Sequence, residues 1–207
     1  MNVLSHRGYW QELNEKNKEV AFQRSFGLGF GTETDIRDRN GELVISHDMP
    51  DGNEMSLSEF LRIVDNRNLP FALNIKADGL IKPLVEAMQT TKLSNWFVFD
   101  MAIPDMYAYL KAGVPVFTRM SEVEKQPAWI EQSAGVWLDA FSEIWYDAQT
   151  IEDLLRSGKK VCVVSPELHG RSYESLWHLL LPISKHPALM LCTDNPELAR
   201  NFFGASQ

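Results

Sequence analysis

Only two cysteines occur in the 207 residues, Cys162 and Cys192, too few for a disulfide framework. Each lies inside an apolar run, VCVV and LMLC, the setting of buried reduced thiols rather than of a bridge. Long apolar runs are also missing. The longest, WHLLLPI, is broken by Pro182, and none approaches the ~18 residues of a membrane span. The opening residues MNVLSHRGYW lack the charged and apolar regions of a signal peptide. The expectation is a cytoplasmic protein with no integral membrane segment. Positive charge is in deficit, with 20 Lys+Arg against 28 Asp+Glu. A chain of that balance has no global attraction for nucleic acid. No linker, low-complexity segment or internal repeat interrupts it. At this length one domain, 1–207, is expected.

What is present is an alternation of short β-type runs and helical segments. Strands are expected at Val3–Ser5, Thr32–Ile36, Phe71–Ile75, Trp96–Phe99, Val114–Thr118, Gly135–Leu138, Lys160–Val164 and Leu189–Cys192. These runs are rich in Val, Ile, Phe and Leu without strict alternation, as strands buried on both faces are. Helices are expected at Lys16–Ser25, Ser56–Asn66, Leu80–Thr91, Ala102–Ala112, Ser121–Gln132, Ala148–Ser157, Tyr173–Ser184 and Pro196–Phe203. Ser56 with Glu59 forms a capping box, and Asn195-Pro196 places a cap before a first-turn proline. Eight such units predict a closed α/β (β/α)8 TIM barrel of minimal size. The alternative is an open doubly wound sheet, but no Gly-rich phosphate loop follows the first strand. Glu33–Arg39 and Glu42–Asp48 flank Asn40-Gly41, a strong hairpin signal.

In a barrel, chemistry gathers where strands end and the following loops begin. Those positions hold His6 and Arg7, then Glu33 and Asp35, then His47, Asn74 and Lys76. Asp100, Arg119, Asp139, Glu167 with His169, and Asp194 follow around the rim. Taken singly, each has an ordinary role. Asp194 reads as a cap for the last helix, and Arg7 as a partner for Asp35. Together they carry more. Glu33 and Asp35, spaced i, i+2, leave one face of a strand. Two such carboxylates repel unless a cation lies between them. Hard divalent ions take carboxylate oxygens. His6 and His47 supply a base and an acid, and Arg7 and Lys76 can hold an anion. His47 shares a face with Glu33 only if the hairpin has a three-residue bulged loop, so the functional reading predicts that register.

The ordered set Ser5-His6-Arg7-Gly8, Glu33-Thr34-Asp35, His47-Asp48 and Asn74-Ile75-Lys76 resembles the glycerophosphodiester phosphodiesterase family. Thr193-Asp194-Asn195-Pro196 resembles the family's closing strand and helix. The resemblance is concentrated in the N-terminal third. It implies a TIM barrel that hydrolyses a small phosphodiester, a glycerophosphodiester by default, in lipid metabolism. One divalent cation, Mg2+ or Ca2+, would sit on Glu33, Asp35 and Asn74. His6 and His47 would be the acid/base pair, and Arg7 and Lys76 the phosphate ligands. Outside the resemblance, their places at strand ends around the rim make Asp100, Arg119, Asp139 and Glu167 candidates for the substrate pocket.

Two departures bear on that reading. Asn74 stands where the family has a third acidic ligand, which removes one formal charge and makes Asp100 the nearest substitute. Only Met49–Met55 separates Asp48 from the helix at Ser56, where the family carries an insertion, so a more open mouth is expected. Two competing readings are a phosphate-binding descendant without turnover, motivated by Asn74, and a metal-free glycosidase. The latter needs carboxylates from different elements on either side of a sugar, an arrangement that neighbours on one strand fit badly.

Overall fold

The structure is a computed structural model that describes residues 1–204. All eight expected barrel strands form. In chain order the strands are β1 Asn2–His6, β2 Gly31–Arg39, β3 Glu42–Ile45, β4 Met55–Ser56 and β5 Phe71–Ile75. They continue with β6 Trp96–Phe99, β7 Phe117–Met120, β8 Gly135–Leu138, β9 Lys160–Val164 and β10 Leu189–Thr193. Leaving aside β3 and β4, the strands pair in parallel from β7 through β8, β9, β10, β1, β2 and β5 to β6, with β1 joining β10 to β2. The seam between β6 and β7 is the thinnest. It consists of one parallel bridge, Val98 to Val116, and the hydrogen bond from Val98 N to Pro115 O at 2.9 Å. Pro115 has no N–H to donate, so β7 starts later than the apolar run 114–118 suggests.

Strand parity divides the residues cleanly. The inward set includes Leu4, Ala72, Phe97, Phe99, Phe117, Trp137, Cys162, Val164, Met190 and Cys192. Phe97 stacks on Phe117 with centroids 3.6 Å apart, and Phe99 on Trp137 at 3.8 Å. The barrel is therefore filled by side chains, with two free buried thiols among them. Gly135 is small because Phe117 takes its space: a Cβ there would lie 2.6 Å from the ring and 2.5 Å from Lys160 O.

Seven helices cover the outside among the described residues: α1 Glu19–Gly27, α2 Leu57–Val64, α3 Ile81–Gln89, α4 Ile103–Lys111, α5 Ala148–Arg156, α6 Glu174–Leu180 and α7 Pro196–Gly204. Outward residues pack beneath them in two clusters, one centred on Phe22, Phe26, Phe60 and Phe71, the other on Trp177. The capping box at Ser56 and Glu59 forms. The helix expected at 121–132 does not. Pro127 lies in its middle and Trp129 is left-handed at φ 56°, which leaves turns in place of an eighth helix.

The hairpin also differs from expectation. Arg39 pairs with Glu42, and both Asn40 (φ 53°) and Gly41 (φ 84°) are left-handed. That is a two-residue type I′ turn, not the bulged loop. The short turn matches the twist of the two strands without an extra residue. β3 then stops at Ile45, so strand parity no longer sets the direction of His47.

The stacked interior predicts a stability effect. Phe99 is fully buried, so Phe99→Ala is expected to cost about 3–5 kcal/mol, measured as a shift in the denaturant midpoint. A cost below about 1 kcal/mol would contradict a close-packed barrel floor.

Candidate active site

Register assembles the first half of the site. His6 pairs with Glu33, Glu33 with Ala72, and Asp35 with Asn74. Leu4 and Ala72 face inward, so by parity His6, Glu33, Asp35 and Asn74 face inward too, at the C-terminal ends of β1, β2 and β5. Glu33, Asp35 and Asn74 are all buried. The chain leaves β1 through a left-handed Arg7 (φ 58°) and Gly8 (φ 82°). Gly8 has no room for a side chain, since a Cβ would lie 2.7 Å from Ala21 Cβ. This turn sends Arg7 N to Glu33 O at 3.0 Å and brings Arg7 Nε to 3.0 Å from Asp35 Oδ2. Backbone strain held at such a place is common in functional sites.

Asp35 carries three partners. Besides Arg7, Lys76 Nζ lies 3.4 Å from Oδ1, and Asn17 Nδ2 donates to Oδ2 at 2.8 Å. Asn17 is itself fixed by Thr34 Oγ1, which donates to its Oδ1 at 2.9 Å. Neither Asp35 Oδ1 nor Asn74 Oδ1 accepts a hydrogen bond, although both are buried. Burial, and next the charge of Asp35, push the Glu33 carboxyl up to about 8, against the opposing pull of Arg7 and Lys76. Buried oxygens without donors, beside a carboxyl that resists ionisation alone, fit the oxygen-only donor set of a hard cation. Among the described residues no cluster of three or more His, Cys, Asp or Glu is arranged as a metal site. Here the third oxygen belongs to the amide of Asn74.

His6 is oriented from the far side. Its Nδ1 is 2.8 Å from Asp194 Oδ1 and its Nε2 is 4.0 Å from Glu33 Oε2. Burial draws its pKa below the ordinary value, which Asp194 partly opposes. Asp194 was expected as a helix cap. Its carboxylate instead goes to His6, because β10 is the neighbour of β1 in the closed ring.

Glu167, expected in the substrate pocket, is a buttress for this pair. It accepts from Asp194 N at 3.2 Å, from Thr193 Oγ1, and from Ser165 Oγ at 2.5 Å. Ser165 in turn accepts from Trp177 Nε1 at 2.9 Å.

His47 lies on the rim. Among the described residues its contacts are with Asp48, Nδ1 to Oδ1 at 2.9 Å, and with Arg37 Nε, which donates to its carbonyl at 3.0 Å. His47 is 42% exposed and does not touch His6 or Glu33. The His47 hydrogen bond, and more weakly Arg7, hold Asp48 below its ordinary pKa.

The second half of the mouth comes from β6 to β9. Asp100 is left-handed at φ 65°. It receives Asn74 Nδ2 at 3.4 Å and pairs with Arg119 at 3.3 Å. Arg119 Nε also donates to Glu124 Oε2 at 2.6 Å. Asp139 Oδ1 meets His169 Nε2 at 2.7 Å. Sequence reasoning missed Asn17 altogether, since nothing in the polar segment NEKNKE separates it from ordinary surface residues.

No protein-family model and no curated protein matches the chain in sequence. Its fold does match solved structures. A phosphodiesterase from Oleispira antarctica in complex with the product sn-glycerol-3-phosphate superimposes with a TM-score of 0.75 at 16% identity, covering 99% of this chain and 97% of that one. A glycerophosphodiester phosphodiesterase from Agrobacterium tumefaciens gives 0.69 at 13% identity, covering 99% of each chain. A glycerophosphoryl diester phosphodiesterase from Parabacteroides distasonis gives 0.68 at 13% identity, covering 99% of this chain and 86% of that one. The chain is thus a TIM barrel. More narrowly, it has the fold of the glycerophosphodiester phosphodiesterases over nearly its whole length.

The His169–Asp139 pair predicts a pH effect. The hydrogen bond to Asp139 raises the His169 pKa above 6.5 despite partial burial. Its contribution to stability is full below the unfolded pKa and is lost as pH rises through the higher folded one. The stability difference between wild type and His169→Gln is therefore expected to be larger near about pH 5.5 than near about pH 8.5. Urea denaturation at both pH values checks this, and an unchanged difference refutes it.

Proposed function

We propose that the protein belongs to the glycerophosphodiester phosphodiesterase family and hydrolyses a small phosphodiester with the help of one divalent cation, Mg2+ or Ca2+. The observation that carries the reading is the shared inward face of His6, Glu33, Asp35 and Asn74 on three adjacent strands, with Arg7 and Lys76 both against Asp35. The neighbour with bound sn-glycerol-3-phosphate supports a small phosphate ester as ligand. Among the described residues no helix is long and apolar enough to cross a membrane.

Glu33, Asp35 and the Asn74 amide oxygen would hold the cation. When bound, it offsets charge on the non-bridging oxygens of the phosphate. Arg7 and Lys76 match the charges of Glu33 and Asp35 and would meet the phosphodiester anion, Arg7 as a fork and Lys76 as a point charge. Asp194 occupies His6 Nδ1, which leaves Nε2 as the acceptor for a proton from the attacking hydroxyl. His47, on the wetter rim, protonates the leaving alkoxide. The attacker is a water or a neighbouring hydroxyl of the substrate.

A second reading has one observation in its favour. Asn74 withdraws a formal charge from the cation site, as expected of a phosphate-binding descendant that no longer turns over.

Hydrolysis of a panel of phosphodiesters with Mg2+, Ca2+ and EDTA separates the two. Turnover is expected to vanish with EDTA and to fall by about 10²–10⁴-fold in His6→Ala and His47→Ala. No turnover of any diester, together with tight binding of inorganic phosphate, would select the binding protein. Activity appearing only in Asn74→Glu would show that the natural chain has lost its cation.

A further inference from the structure

Asp194 orients His6, and Asp194 is itself held. β10 ends at Thr193, so the backbone N–H of Asp194 lies beyond the strand. It donates to Glu167 Oε1 at 3.2 Å. The same oxygen accepts from Thr193 Oγ1, while Oε2 accepts from Ser165 Oγ at 2.5 Å. Thr193 and Ser165 are fully buried. Each follows an inward residue, Cys192 and Val164, so by parity their hydroxyls leave the outer face of the sheet. Trp177 belongs to the cluster packed on that face, and its Nε1 donates to Ser165 Oγ at 2.9 Å.

The hydrogens of this group are all assigned. Ser165 Oγ accepts from the Trp177 indole and gives its own hydrogen to Glu167. Thr193 Oγ1 accepts from Asn195 N at 3.0 Å and likewise donates to Glu167. With the Asp194 N–H, three donors converge on two carboxyl oxygens, neither of which is called on to donate. Glu167 is placed for this by its own turn. Pro166 opens the 3-10 turn Pro166–His169 with its φ fixed. Leu168 N then closes on Ser165 O at 3.1 Å, Gly170 N closes on Glu167 O at 3.0 Å, and Gly170 ends the turn left-handed at φ 72°.

Buried donors stripped of their acceptor are costly and draw the backbone elsewhere. Without Glu167, the Asp194 peptide loses its anchor, and the Asp194 carboxyl loses its place 2.8 Å from His6 Nδ1. That bond selects the tautomer whose Nε2 is left to face Glu33, 4.0 Å away.

We infer that Glu167 is a positioning residue: through the Asp194 peptide it holds His6 in the tautomer whose Nε2 takes the proton of the attacking hydroxyl. The inference rests on the phosphodiesterase reading above and adds to it a residue outside the proposed acid/base, phosphate and cation groups. Reach is the operative property, because Oε1 contacts Asp194 N directly.

The test reads kcat, KM and the proton on His6. The downfield imidazole N–H resonance of the His6–Asp194 pair is assigned by its loss in His6→Ala. Glu167→Ala is expected to lower kcat per folded molecule by about 10–100-fold with KM little changed, and to abolish that resonance. Glu167→Gln keeps the reach to Asp194 N and should recover most of both. Glu167→Asp is one methylene short and should behave as alanine does; it carries the test where Glu167→Ala does not fold. On an Asp194→Ala background, Glu167→Ala should cost less than about twofold more, because both act on His6 by one route. An unchanged kcat in folded Glu167→Ala, with the resonance intact, would overturn the inference and leave Glu167 a stability element. Losses that multiply in the double variant, or an aspartate variant more active than the glutamine one, would overturn it too. The resonance is read without turnover. If the wild type hydrolyses no diester, that counts against the phosphodiesterase reading, while survival or loss of the resonance in Glu167→Ala still refutes or upholds the hold of Glu167 on His6.

Discussion

The complete burial of the Asp35 carboxyl is the constraint around which the mouth of the barrel is organised. A carboxylate taken wholly out of water is costly unless paired and hydrogen-bonded. Asp35 is fully buried and meets Arg7, Lys76 and Asn17. Each partner brings a piece of chain with it. Arg7 adopts a left-handed backbone, and the absent side chain of Gly8 lets the loop close on Ala21. Lys76 is fixed by the end of β5, whose backbone N donates to Ile36 O at 3.0 Å. Asn17 ties the long loop before α1 to the strand ends, with Asn17 N donating to Arg7 O at 2.9 Å. Removing the carboxylate would leave the half-buried Arg7 and Lys76 without their shared partner and three segments without a common anchor.

Below that polar layer the barrel is dry. Stacked rings of Phe97, Phe117, Phe99 and Trp137, with the thiols of Cys162 and Cys192, fill the interior. Arg119 pairs in register with Trp137 on the adjacent strand. The change from aromatic floor to charged mouth takes place within one step of the inward-facing set. An abrupt boundary of this kind lowers the local dielectric under the ionisable groups and strengthens their coupling. The raised pKa of Glu33 and the lowered pKa of His6 are both led by that burial.

The two halves of the mouth differ in character. The β1, β2 and β5 side sets Arg7 and Lys76 against buried carboxyl groups and holds a buried Asn74 Oδ1 without a donor. The β6 to β9 side has its charges paired off and exposes Ile103, Val123 and Phe141. Between the halves runs the chain Trp177, Ser165, Glu167, Asp194, His6, anchored in the fully buried indole. It ties the orientation of one histidine to the packing of α6 against the barrel.

The eight strand runs, the shared face of Glu33 and Asp35 and the helix start at Ser56 were legible from local pattern, because parity and capping depend on residues two or three apart. Pro127 is itself a local signal against a helix after β7. Other features had no local signature. Asp194 reaches His6 only because closing the ring places the last strand beside the first. Glu167 ties two strand ends together because Ser165, Thr193 and Asp194 all donate to it. His47 leaves the strand's parity because β3 stops at Ile45. Residue types and spacing thus set which groups the mouth contains. Only ring closure, which joins positions nearly two hundred residues apart, decided which of them touch.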